Sequence, residues 1–103
     1  METNYLGVLY VIEALIRDGL IGKDPEDSTR VLVCRVQEAG KEQWYSENVF
    51  ELATETYKNK ASLRALLKVA KAWGIDTEAC MERGWNVIES TGKLLQLFGG
   101  CVV

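Results

Sequence analysis

The run Arg30-Val-Leu-Val-Cys-Arg-Val36 constrains this chain more than any other stretch, because its β-branched residues suit a pleated, half-buried surface better than a helix. Glu38-Ala-Gly40 then supplies a turn whose glycine takes positive φ without steric cost, and Lys41-Glu-Gln-Trp-Tyr45 returns antiparallel. A three-residue loop sets Cys34 opposite Trp44. Ser46 stands where it can cap a helix beginning at Glu47, and Tyr45 is spaced from Phe50 as a hydrophobic staple. Val31 and Val33 point one way and Leu32, Cys34 and Val36 the other, so both faces of the hairpin are expected to be covered.

A two-stranded hairpin is marginal alone, and the remaining periodicity predicts four helices to pack around it. Asn4 to Asp18 is apolar nearly all round, as in a helix buried from several sides; a short strand over residues 3–8 is the competing reading. Gly19 suits the left-handed position that ends this helix, with Leu20 folding back on Leu15. Lys23 to Thr29, around Pro25, reads as a polar loop. The second helix, Glu47 to Tyr57, turns Val49, Phe50, Leu52, Ala53 and Tyr57 inward. The third, Ala61 to Trp73, turns Leu63, Leu66, Val69, Ala70 and Trp73 inward. Gly74 and Ile75 repeat the helix-stop signature, and Asp76 or Thr77 caps a last helix over Glu78 to Phe98. Gly84 and Gly92 lie on or near its apolar stripe and require either close backbone approach or a break, with a kink expected near Gly92.

The fold class that follows is α+β and helix-dominated: a two-stranded antiparallel hairpin packed among four helices in the order α-β-β-α-α-α, a short third strand being admissible. One hundred and three residues make a single small domain, 1–103, with an apolar C-terminal tail at 94–103. That tail leaves apolar surface in water unless it docks on its own domain or on a second copy.

Catalytic chemistry is poorly provided for. The chain has no histidine, no nucleophile motif and no phosphate-cradling glycine loop, so no catalytic, cofactor-binding or metal-ligating residue is nominated and no cofactor is expected. Cys34, Cys80 and Cys101 match neither a disulfide framework nor a zinc pattern, which suggests a reducing, cytoplasmic setting. Neither a membrane span nor a secretory leader is evident.

Charge is uneven although the net value is only −3. Ten acids and five bases lie up to Glu51, and five acids and seven bases follow, so the two parts carry opposite net charge. Glu47, Glu51 and Glu55 form an acidic ridge on the second helix, and Lys60, Arg64, Lys68 and Lys71 a basic ridge on the third. Each is a candidate partner surface, and each also suits the solvated back of an amphipathic helix. Trp44 reads as a core or cross-strand anchor. Trp85, Ile88, Leu95 and Phe98 form an apolar surface near the C-terminus for an oligomer or a partner, and a homodimer through the last helix is expected.

Val69 to Ala79 resembles the helix-turn-helix pattern in the spacing of Ala70, Gly74 and Ile75, and that resemblance implies nucleic-acid binding with Lys60, Arg64, Lys68 and Lys71 on phosphates. The would-be recognition helix opens with Glu78 and Glu82, which repel phosphates, and Arg83 and Gly84 stand where the motif favours apolar residues. Protein–protein interaction is therefore the leading expectation. Small acidic domains of this kind, compared on size and charge alone, include adaptor subunits and the CRISPR or nuclease inhibitors of phages and mobile elements.

Overall fold

Seven elements follow one another in a computed structural model that describes residues 2–36 and 39–97, the side chains of 35, 36 and 94–97 excepted. They are α1 (Tyr5–Arg17), β1 (Lys23–Asp24), β2 (Asp27–Val36), β3 (Glu42–Asn48), α2 (Val49–Lys58), α3 (Lys60–Trp73) and α4 (Thr77–Leu97). Among the described residues the fold is helix-dominated α+β, with four helices and an antiparallel sheet of order β1-β2-β3. The third strand corrects the two-stranded expectation.

α1 is the central element. Asn4 caps it by accepting from Gly7 N (2.7 Å), and Gly7, Val8, Leu9, Val11, Ile12, Ala14 and Leu15 are buried. Such all-round burial is what its nearly continuous apolar surface requires. Gly19 ends it at φ 83°, with Leu20 N donating to Leu15 O (2.9 Å). The core gathers α1 with Val31 of β2, Leu52 and Ala53 of α2, Ala70 of α3 and Met81 of α4. Among the described residues this buried cluster contains no aromatic side chain.

The segment Lys23 to Thr29, read as loop, instead folds into β1, a turn at Pro25-Glu26 and the start of β2. Proline is tolerated in the turn because its missing donor is not needed there. Asp24 Oδ1 accepts from Glu26 N (2.9 Å), and Asp27 Oδ1 accepts from both Thr29 N (2.9 Å) and Thr29 Oγ1 (2.6 Å).

Cys34 lies opposite Trp44, the register that the turn implies. β3, however, continues to Asn48, which caps α2 by accepting from Phe50 N (2.9 Å). Ser46 is not a cap. Its Oγ donates to Asp24 Oδ2 (2.5 Å) and accepts from Arg30 Nε (2.9 Å), while Arg30 Nη2 donates to Ser46 O (2.7 Å), so one hydroxyl ties all three strands together.

Nor are both faces of the hairpin covered. Val31 and Val33 pack on the core, but Trp44 and Tyr45 are 62 % and 42 % exposed.

α3 is rotated relative to expectation. Leu63, Leu66, Leu67 and Ala70 face the core, leaving Val69 and Trp73 about half exposed. On α2, Phe50 and Tyr57 are likewise exposed. Gly74 (φ 96°) closes α3, with Ile75 N donating to Ala70 O (2.9 Å), and Asp76 Oδ1 accepts from Ala79 N (3.0 Å) at the start of α4.

α4 packs on α1 at its N-terminal half only. Asn4 Nδ2 donates to Met81 O (3.0 Å), Gly84 sits against Asn4 and Gly7, and the Arg83 guanidinium lies 4.0 Å from the Tyr10 ring centroid. The helix continues through Gly92 to Leu97 without the expected break, and a Cβ at Gly92 would meet nothing within 4 Å.

Candidate interaction surfaces

The second half of α4 leaves the body at Trp85. The indole Nε1 donates to Glu2 O (3.0 Å), and every residue from Trp85 to Lys93 is exposed. At 1.5 Å per residue the helix beyond Trp85 extends about 18 Å. Trp85, Val87 and Ile88 are 36 %, 38 % and 41 % exposed, so large apolar side chains on this half-helix are only partly covered by the described residues. Of the expected C-terminal surface, Trp85 and Ile88 are thus brought together on one projecting helix. Phe98 and the side chain of Leu95 lie outside the described residues, as does the tail from residue 98.

The acidic ridge does not form as expected. Glu47 belongs to β3, opposite Val31, because α2 starts two residues later than its expected cap would place it. Glu51 and Glu55 remain on α2 and are exposed, sharing a shallow hollow with Phe50 and Thr54. Lys60, Arg64, Lys68 and Lys71 are all exposed along α3. The corner that resembles a helix-turn-helix is present at Gly74, but Val69 and Trp73 on its first helix face water, and Glu78 and Glu82 are exposed at the start of its second.

A cleft of about 580 Å³ opens between α1, the β1–β2 corner and the start of α2. Arg17 and Lys23 flank Ile16, Val49 and Phe50 there, and Glu13 is the single carboxylate in its lining. No group of three or more His, Cys, Asp or Glu side chains could hold a metal among the described residues, and no described helix is long and apolar enough to cross a membrane.

Few titrations are displaced. Hydrogen bonds from Ser46 Oγ and from Glu26 N hold the Asp24 carboxyl below its ordinary value, and the Thr29 hydroxyl and N–H do the same for Asp27. Burial pushes the Cys80 thiol up, assisted by Asp76.

Sequence reasoning placed Trp85 on a surface but missed the exposure of Phe50, Tyr57 and Trp73 and read Trp44 as an anchor. Trp44, Trp73 and Trp85 are all at least a third exposed, and the hairpin offers the clearest sign of this: the same-face neighbours of Trp44 on β3, Glu42 and Ser46, are charged or polar. No family model, curated protein or solved structure matches the chain.

Proposed function

We propose that the chain is a non-catalytic protein-interaction module that inserts the projecting half of α4 into an apolar groove of a protein partner. The observation that carries this reading is the placement of the tryptophans: all three lie outside the buried aliphatic core and are at least a third exposed, Trp85 at the root of the projecting helix, and Trp is among the residues most enriched at binding hot spots. A free helix with anchors three and four residues apart is the form that groove-binding proteins recognise. Trp85 and Ile88, three residues apart, supply two such anchors on one side of α4. An adaptor subunit or an inhibitor of a larger complex needs no more machinery than this.

The test is affinity capture from the native host's lysate with the wild-type chain, with Ile88→Glu and with Glu51→Lys/Glu55→Lys, followed by reconstitution with the purified captured protein. The expected result is one protein that binds the wild-type chain, survives the α2 charge reversal and is lost with Ile88→Glu. Binding that survives Ile88→Glu but fails with the α2 reversal assigns the site to the acids. Affinity for random duplex DNA that falls steeply with salt replaces the protein-binding reading with the nucleic-acid one.

A further inference from the structure

The two edges of the sheet are finished differently. β1 is two residues long, its register with β2 shifts between Lys23 and Asp24, and Pro25 follows it. Shortness, irregularity and proline are the devices that keep an edge from templating another strand. β3 has none of them. It pairs in unbroken register with β2 from Arg30↔Asn48 to Val36↔Glu42, holds neither proline nor lysine within Glu42–Asn48, and is exposed from Glu42 through Ser46. Its outer side has no strand partner among the described residues. Trp44 and Tyr45, adjacent in the strand, stand on opposite faces of this open edge.

We propose that a second copy of this chain seats its own β3 antiparallel against this edge, about a two-fold axis at Trp44, joining two three-stranded sheets into one of six strands. The charges select the register. With the axis at Trp44, Lys41 stands opposite the second copy's Glu47, and the symmetry makes this pair twice; Glu42 meets Ser46, Gln43 meets Tyr45, and the two indoles become cross-strand neighbours. An axis midway between two residues would oppose side chains from different faces, which an antiparallel ladder does not allow, and an axis one residue away, at Gln43 or at Tyr45, forms no opposite-charge pair. The Trp44 axis also covers the most exposed tryptophan of the chain. Self-pairing, expected from sequence on the last helix, is thereby assigned to the sheet, and α4 stays open to its partner.

Sedimentation velocity at about 100 µM, a concentration at which a micromolar dissociation constant populates the dimer, tests this assignment. The wild-type chain is expected to sediment as a dimer, and amide exchange within Glu42–Glu47 to slow as concentration rises. Trp44→Lys is expected to give a monomer with an unchanged circular dichroism spectrum. Lys41→Glu and Glu47→Lys are each expected to raise the dissociation constant about tenfold, and the double variant to recover it. Ile88→Glu is expected to remain dimeric. A monomeric wild-type chain, a dimer that survives Trp44→Lys, or a double variant no tighter than the singles overturns the proposal. A dimer lost only with Ile88→Glu overturns it and moves self-pairing to α4, replacing the partner groove with a second copy.

Discussion

Replacing Gly84 by alanine tests the junction on which the whole helical layer turns. In an unpacked helix interior the change favours the fold by about 1 kcal/mol, because alanine loses less backbone entropy. Here a Cβ would collide with Asn4 Oδ1 and come within 2.7 Å of Gly7 N and 2.9 Å of Asn4 Cγ. Two of these are atoms of a side chain that is 2 % exposed, so it has no free space into which to swing. Asn4 accepts from Gly7 N and donates to Met81 O, and moving it breaks the cap of α1 and the tie to α4 together. Loss of an N-cap costs about 1 kcal/mol, a buried polar group left unpaired about 1–3, and overpacking about 1–3. These terms overlap because one displacement relieves the clash, so after the helix gain the net loss is about 2–3 kcal/mol. At roughly 4–8 °C per kcal/mol for a domain near this size, the melting temperature should fall by about 10–20 °C. Gly92→Ala is the internal control, since its Cβ meets nothing within 4 Å, and it should gain up to about 1 kcal/mol. Urea unfolding of the two variants side by side reads both signs. If Gly84→Ala is as stable as the wild-type chain or more so, α1 and α4 do not meet in this way.

Asn48→Ala should cost about 1 kcal/mol as the lost cap of α2. Ser46→Ala should leave α2 intact, as read by amide exchange at Phe50 and Glu51, and loosen β1 instead. Acid sensitivity follows from the two depressed carboxyls: a folded pKa below the unfolded value gives stability that is present above about pH 4 and is lost as pH falls through the folded pKa. Asp24→Asn should therefore flatten the acid end of the stability curve, and carboxyl carbon NMR shifts should place both midpoints below those of a free aspartate.

Local signals were legible where a single residue decides a conformation. Gly19 and Gly74 stop their helices at positive φ, and the turn before Gly40 aligns Cys34 with Trp44. Where two residues compete for one role, the sequence does not say which wins. Ser46 and Asn48 are both good caps, and the choice falls to Asn48 because Asp24 and Arg30, distant in sequence, already engage the Ser46 hydroxyl. That same tertiary bond ties down a strand of two residues, which no window of the sequence identifies, and the shifted cap removes Glu47 from the acidic ridge. On α3 the apolar arc from Val69 round to Leu67 is wider than the contact available. Which part of it faces inward is settled by neighbouring helices, and the periodicity centred it on the wrong side of Leu66.

Exposed charge and exposed tryptophan carry different weight as signs of function. A row of lysines on a helix back leaves its charges in the solvent where they are already stable, and surface ion pairs contribute about 0–1 kcal/mol, so the ridge from Lys60 to Lys71 requires nothing beyond solubility to explain it. A buried Trp removes about 150–250 Å² from water, and at about 25 cal/mol per Å² a half-exposed one forgoes roughly 2 kcal/mol. Three such residues together forgo a free energy comparable with the lower end of a domain's net stability, about 5–15 kcal/mol. The aliphatic cluster of α1, Val31, Leu52 and Met81 includes none of them. Two of the three stand where the proposed contacts would cover them: Trp44 on the β3 edge, which has no further strand beside it among the described residues, and Trp85 at the root of the projecting half of α4. Under the proposed contacts Trp44 and Trp85 recover their part of that free energy, while the part forgone at Trp73 stays with the isolated chain.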